Sequence, residues 1–144
     1  DELETMKETT KMLRMMLGAI GAISLIVAAI GITNTMVMAI YERTREIGVM
    51  KVIGASLSDI KKLFLTEAAF IGFAGGLAGI LVSLGASKIV NIFAIRTNSN
   101  MLSSIPLWLC GASLIFATFI GIAAGYLPAK RAMKLSALSA IKTE

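Results

Sequence analysis

Three long stretches without a charged residue constrain this chain more than any other feature of its sequence. They cover residues 15–41, 68–87 and 97–129, which are 27, 20 and 33 residues long. A helix rises about 1.5 Å per residue, so about 20 residues cross the ~30 Å hydrocarbon core of a bilayer. Apolar helices buried in soluble proteins are usually shorter, at about 10–14 residues. The sequence therefore predicts an all-α membrane protein with three transmembrane helices at residues 15–41, 67–87 and 105–127.

The composition agrees with a membrane protein and excludes several kinds of site. Only 16% of the residues are charged, against about a quarter in soluble domains, and 56% are hydrophobic. The chain has no His and a single Cys, Cys110. This excludes a histidine metal site, a His-based catalytic triad and a disulfide within the chain. We expect Cys110 to be a small packing residue, and we expect no catalytic or metal-binding residues.

The positions of Lys and Arg predict the orientation in the membrane. The net charge is +5, and nine of the 14 basic residues fall between the first two spans or after the third. Cytoplasmic loops carry an excess of Lys and Arg. We therefore expect residues 42–66 and 128–144 in the cytoplasm, and residues 1–14 and 88–104 outside. A basic charge distributed in this way indicates membrane topology and not a nucleic-acid partner.

Glycines four residues apart recur in the second and third spans. Small residues at this spacing let helix backbones approach closely, which is how helices associate in lipid. Gly is also simply frequent in membrane helices, but several pairs together favour a packed bundle that oligomerises. The pairs are Gly72/Gly76, Gly75/Gly79 and Gly121/Gly125. Asn34, near the inner end of the first span, is expected to face protein, and a hydrogen bond between helices is favoured over an ion or substrate contact.

The segment before the first span is predicted to continue it as a helix. Leu3, Met6, Thr10 and Leu13 repeat at alternating spacings of three and four residues, which suits a narrow packing seam. The pattern fits a short extracytoplasmic stalk, although a frayed terminus would also produce it.

The loop between the first two spans carries signals for two further helices. Gly54 is suited to end a short helix in the left-handed conformation, and Ser56-x-x-Asp59 is suited to begin the next. A basic helix resting on anionic lipid is one interpretation. The alternating charges at residues 42–46 favour a protein partner, because acidic side chains oppose binding to such lipid.

The same loop contains the longest of several sequence motifs in this chain. Residues 42–55 read E-R-T-R-E-I-G-V-M-K-V-I-G-A. Other runs are G-I-T-N-T-M at residues 31–36, G-G-L-A-G at 75–79 and G-Y-L-P-A-K-R-A at 125–132. Together with the tail at residues 137–144, these motifs resemble the MacB/FtsX-type permease family of ABC transporters over nearly the whole chain.

The resemblance implies that the short helix at residues 42–53 is the coupling helix that docks on an ABC ATPase. Charged side chains would make polar contacts, Ile47, Val49 and Met50 would pack on the ATPase, and the glycines would allow close approach and a turn. The expected ATPase-contacting residues are Glu42, Arg43, Arg45, Glu46, Ile47, Gly48, Val49, Met50, Lys51 and Gly54.

The resemblance also implies a larger protein around this chain. Family members have four membrane helices, with a large outer domain between the first two. The chain opens at Asp1 rather than Met, and we expect it to be a segment that holds the end of the stalk and helices two to four. It would lie among membrane lipid in the bacterial cytoplasmic membrane, paired with a second or homologous permease copy, with room for an extracytoplasmic partner protein.

The sequence places nucleotide chemistry on another subunit or domain. No G-x-x-x-x-G-K-[ST] motif occurs, so ATP and Mg would be bound by a partner ATPase, separate or fused, and no cofactor by this chain.

Three functions fit these observations. The first is mechanotransmission, in which ATP-driven motion reaches the outer domain and exports or extracts a peptide or lipid-like substrate. The second is an FtsX-type regulator that activates cell-wall hydrolases without transport. The third is a membrane scaffold without an ATPase. The identity of the outer domain would distinguish mechanotransmission from the regulator. Recovery of a nucleotide-binding subunit on purification would distinguish both of these functions from the scaffold.

Overall fold

The protein is all-α. The structure, a computed structural model, describes residues 1–100 and 102–134. Within these ranges there is no strand, and four helices follow one another: α1 (Glu2–Glu42), α2 (Thr44–Ile53), α3 (Leu57–Arg96) and α4 (Leu107–Lys134). The predicted fold class is confirmed. The predicted tail from residue 135 to 144, including its family motif, lies outside the described residues.

Three of the four described helices, α1, α3 and α4, are long and apolar enough to cross a membrane, as the sequence predicts. α3 and α4 form an antiparallel pair with the most extensive interface, and α1 packs mainly on α4. The short α2 joins α1 to α3 at one end of the bundle, which we call the α2 end. Residues 97–100 and 102–106 lie between α3 and α4 at the opposite end, which we call the loop end.

Two helices extend well beyond their predicted spans. α1 is 41 residues long and begins at Glu2, so the segment before the first span is helical, as predicted. α3 reaches Arg96, and residues 88–96 of the predicted outer loop are therefore helical. The physical reason is that these residues contain no Gly or Pro to end the helix. The turn follows at Asn98, which has a φ of 52°.

The break between α2 and α3 has the predicted capping geometry. Gly54 has a φ of 108°, its N–H donates to the Lys51 carbonyl, and the Ala55 N–H donates to the Met50 carbonyl. This pair of bonds is a Schellman motif, which satisfies the last carbonyls of α2. Ser56 then begins α3 in a capping box with Asp59, in which each side chain binds the other residue's backbone N–H.

The hydrophobic core lies at the α2 end, where all four helices meet. Its buried members are Met36 and Ile40 of α1, Ile47 of α2, Ile60, Phe64 and Ala68 of α3, and Ala129 and Ala132 of α4. Residues 1–28 of α1 are exposed throughout. The helix α1 is therefore anchored at the α2 end, and we call its exposed residues 2–28 the free part of α1. Within this part, Leu25 borders a groove between α3 and α4.

Glycines bring α3 and α4 into backbone contact. A Cβ built on Gly72 would lie 2.5 Å from the Ala117 carbonyl oxygen, and one built on Gly121 would lie 2.6 Å from that of Ala68. Neither position can accept a side chain unless the helices move apart. Gly72, Gly76, Gly121 and Gly125 lie in the close α3–α4 contact. A Cβ on Gly75 or Gly79 would meet no atom within 4 Å, and Gly79 lines a wider cavity between α3 and α4.

Candidate functional site

The inward face of α2 is part of the hydrophobic core. Ile47 is fully buried, Gly48 is also buried, and Met50 packs against the same core. Ile47 and Gly48 were both expected to touch an ATPase, but here they face the chain's own core. The reason is the helical period, which places Ile47 about 200° around α2 from both Arg45 and Val49.

An ion pair links the start of α2 to α3. Arg43 lies between α1 and α2, and its Nη1 is 3.3 Å from Oε2 of Glu67 in α3. The two side chains are 47% and 33% exposed, and ion pairs of this exposure typically contribute about 0.2–1 kcal/mol. The pair therefore orients the α1–α2 junction more than it stabilises the fold. Arg43 is thus engaged within the chain, although its side chain remains accessible to a partner.

Lys51 links α2 to the end of α4. Its Nζ donates a hydrogen bond of 2.8 Å to the Met133 carbonyl oxygen. Partial burial lowers the pKa of Lys51 below 10.5, because desolvation disfavours the ammonium. Together with the Arg43–Glu67 pair, this bond attaches α2 to both helices of the α3–α4 pair.

The opposite side of α2 forms an exposed surface of mixed chemistry, made of Arg45, Glu46, Val49, Val52 and Ile53. We call these five residues the α2 outer face. Val52 and Ile53 are 65% and 80% exposed, and apolar side chains beside charged ones are typical of a protein-binding surface. The expected contact list omitted Val52 and Ile53, although their spacing of three and four residues from Val49 places them on the same helix face.

Two further expected contact residues lie at the two ends of α2. Glu42 is the last residue of α1 and Gly54 ends α2, and both are exposed. They lie at the two ends of the α2 outer face and could contact a partner that covers it.

A hydrogen bond between membrane helices comes from Thr33. Asn34, from which we expected such a bond, is exposed on α1. The Thr33 hydroxyl lies 2.9 Å from the Ala124 carbonyl oxygen of α4. Asn34 is the more polar of the two neighbouring residues and was therefore the one expected to make this bond, but it is Thr33 that lies against α4.

The described residues around α2 form a surface suited to contact with another protein. Among the described side chains, no group of three or more His, Cys, Asp or Glu could hold a metal ion. The remaining features are the α2 outer face, the core beneath it and the free part of α1.

Comparisons with known proteins agree with this architecture. The model of the FtsX-like permease C-terminal family matches residues 18–137. The chain is 37% identical to the macrolide export ATP-binding/permease protein MacB of Acinetobacter baylyi over 141 residues, which are 98% of this chain and 21% of that protein. It is 40% identical to the ABC transporter permease YtrF of Bacillus subtilis over 136 residues, which are 87% of this chain and 31% of that protein.

The fold and these matches define a membrane component of a transporter. The chain belongs to the FtsX-like permease family, within the MacB/FtsX type of ABC transporter permeases. It spans about a fifth to a third of the length of the curated relatives it matches.

Proposed function

We propose that this chain transmits ATP-driven motion of an ABC ATPase across the cytoplasmic membrane to an extracytoplasmic domain. The observation behind this proposal is the position of α2. Its inward face shares a core with α1, while its outer face is exposed and carries both apolar and charged side chains. A partner that moves α2 would therefore move α1.

The length of α1 suits it to act as a lever. From Thr33, near the core, to Glu2 the helix is unbroken, and at about 1.5 Å per residue this distance is about 45 Å. A tilt of about 5° at the core would move the far end by about 4 Å. In this proposal α1 runs outward, with the N-terminus outside the cell and the α2 end in the cytoplasm, as the distribution of Lys and Arg predicts.

The motor in this proposal is an ABC ATPase that binds ATP and Mg. The matched MacB is named an ATP-binding/permease protein, whereas YtrF is named a permease. Relatives of both kinds fit the chain, since the α2 outer face could dock on a fused or a separate ATPase. The outer domain would use the transmitted motion to export or extract a peptide or lipid-like substrate.

A second permease copy is proposed to cover the free part of α1. Positions at alternating spacings of three and four residues form a seam along it, in which Thr10 and Ser24 are polar. The other six are apolar and 55–73% exposed: Leu3, Met6, Leu13, Leu17, Ile20 and Val27. This seam suits a parallel helix pair. In such a pair Glu2 of one copy would face Lys7 of the other, a favourable charge arrangement.

The docking role is tested by charge substitutions on the α2 outer face. Val52→Asp and Ile53→Asp are combined in the full-length protein, and its co-purification with the ATPase is measured in lipid nanodiscs. We expect association to weaken at least about tenfold, the effect of losing one central interface residue.

Ser58→Asp is the control for added negative charge. It adds one negative charge, against two in the Val52/Ile53 variant, at an exposed position on α3 outside the α2 outer face, and should leave association unchanged. Unchanged association in the Val52/Ile53 variant would refute docking through this face.

A further inference from the structure

Pro128 leaves one backbone carbonyl of α4 without its usual donor. The residue lies inside α4 and is fully buried. Because proline has no N–H, the carbonyl four residues earlier, that of Ala124, has no i+4 partner within the helix. The Thr33 hydroxyl of α1 donates to this oxygen across 2.9 Å. One side chain of α1 thus supplies a hydrogen bond that the α4 backbone lacks.

The membrane makes this bond important for the position of α1. Lipid offers no donor to a free carbonyl, so membrane helices accept proline only where another group satisfies the freed oxygen. A Thr hydroxyl on a neighbouring helix is one such group. The state in which α1 lies on α4 is therefore favoured by the need of Ala124 for a donor.

The bond is also easily reversed. The Thr33 hydroxyl lies 2.9 Å from a second acceptor, the Ala29 carbonyl oxygen in its own helix. A hydroxyl has one proton, so the two carbonyls share it. When α1 moves away from α4, the proton stays with Ala29 and no donor is stranded. Release then leaves the Ala124 carbonyl without a donor, but it leaves no unpaired hydroxyl on α1.

Thr33 lies between the buried and the exposed parts of α1. Toward the α2 end, Met36 and Ile40 are buried, whereas residues 1–28 are exposed. Beside Pro128, the α1–α4 contact leaves a cavity of about 60 Å³. Its lining residues are Val37, Ile40, Tyr41, Pro128 and Arg131. The packing of α1 on α4 is therefore incomplete on the α2 side of Thr33.

We propose that Thr33 is the positioning residue at which α1 pivots on α4, through reversible donation to the carbonyl that Pro128 leaves free. The proposal rests on the proposed function, in which α1 transmits motion, and adds the point about which α1 turns. Thr33 acts through Ala124 and Pro128 and touches neither nucleotide nor substrate.

The experiment follows the tilt of α1 directly. Spin labels are placed on cysteines introduced at Thr9 of α1 and Ser104 of the loop end, both exposed, in full-length protein carrying Cys110→Ala. The protein is reconstituted with its ATPase in nanodiscs and diluted with unlabelled protein. Double electron–electron resonance then gives the distribution of distances between the two labels, without nucleotide and with trapped ATP.

Three substitutions separate hydrogen bonding from packing. Thr33→Val keeps the shape and removes the hydroxyl, Thr33→Ser keeps the hydroxyl and removes the methyl, and Pro128→Ala restores an N–H for Ala124. Without nucleotide, we expect Thr33→Val to raise the ratio of displaced to docked α1 about threefold, the average effect of one such bond between membrane helices. Thr33→Ser should resemble the unsubstituted protein, and Pro128→Ala should abolish the effect of Thr33→Val.

Three results would overturn the pivot: an unchanged distribution in Thr33→Val, a larger change in Thr33→Ser than in Thr33→Val, or an undiminished Thr33→Val effect alongside Pro128→Ala. Failure of the proposed function looks different. In that case ATP does not change the distance between the labels at residues 9 and 104 in the unsubstituted protein. The comparison of Thr33→Val with Thr33→Ser without nucleotide still decides the role of Thr33.

Discussion

Substitution of Gly72 by Ala tests the backbone contact between α3 and α4. The new Cβ would lie 2.5 Å from the Ala117 carbonyl oxygen, and contacts under 3.0 Å require a shift of at least 0.5 Å. Both groups belong to helix backbones, so neither can rotate away. A gap of about 0.5–1 Å forfeits a quarter to a half of the dispersion energy of each contact. We expect a loss of about 1–3 kcal/mol in the free energy of unfolding, as for other overpacked interfaces.

The assay is reversible unfolding by SDS in mixed micelles, followed by circular dichroism. Gly75→Ala is the matched control, because a Cβ there meets no atom within 4 Å among the described residues. It adds the same methyl to the same helix and should be neutral or slightly stabilising, since Ala favours helix more than Gly. If Gly72→Ala unfolds like the unsubstituted protein, or if Gly75→Ala is the more damaging change, the assigned α3–α4 contact is wrong.

Three further predictions concern the α2 end. Ile47→Ala should cost about 2–5 kcal/mol in the same assay, because the side chain is fully buried, whereas Val49→Ala, at a position 46% exposed, should cost far less. Ser56→Ala should destabilise the start of α3 by about 0.5–2 kcal/mol, measured as faster hydrogen exchange in its first turn. Hydrogen bonds with Ser56 lower the pKa of Asp59 below 3.8, so stabilisation by the charged cap should be complete above pH 3.8 and be lost as the pH falls through the folded-state pKa; unfolding titrations that show the same acid dependence in Asp59→Asn would contradict this.

Much of the architecture follows from local sequence signals. The spans follow from runs of uncharged residues, and the α2–α3 break follows from Gly54 and Ser56, because those residue types favour the required backbone geometry whatever surrounds them. Local sequence does not predict which face of α2 is buried. Ile47 and Val49 are similar side chains on opposite sides of a short helix, and only the packing of α1, α3 and α4 decides which is buried.

The hydrogen bond of Thr33 had a signal in the sequence that polarity alone did not reveal. Asn34 is the more polar neighbour, but its side chain is exposed. A proline inside a predicted membrane helix implies a free carbonyl four residues earlier, and hence a donor nearby. That requirement identifies Ala124 as an acceptor, although the sequence alone cannot say which helix supplies the donor.

The central claim is that the α2 outer face lies in the cytoplasm and is covered by an ABC ATPase. It is tested most directly by the reactivity of Ile53→Cys, in full-length protein carrying Cys110→Ala, toward a membrane-impermeant thiol reagent. We predict no labelling in intact cells, rapid labelling in inside-out vesicles stripped of the ATPase, and protection when the ATPase is restored. Labelling in intact cells, or equal labelling with and without the ATPase, would contradict the account.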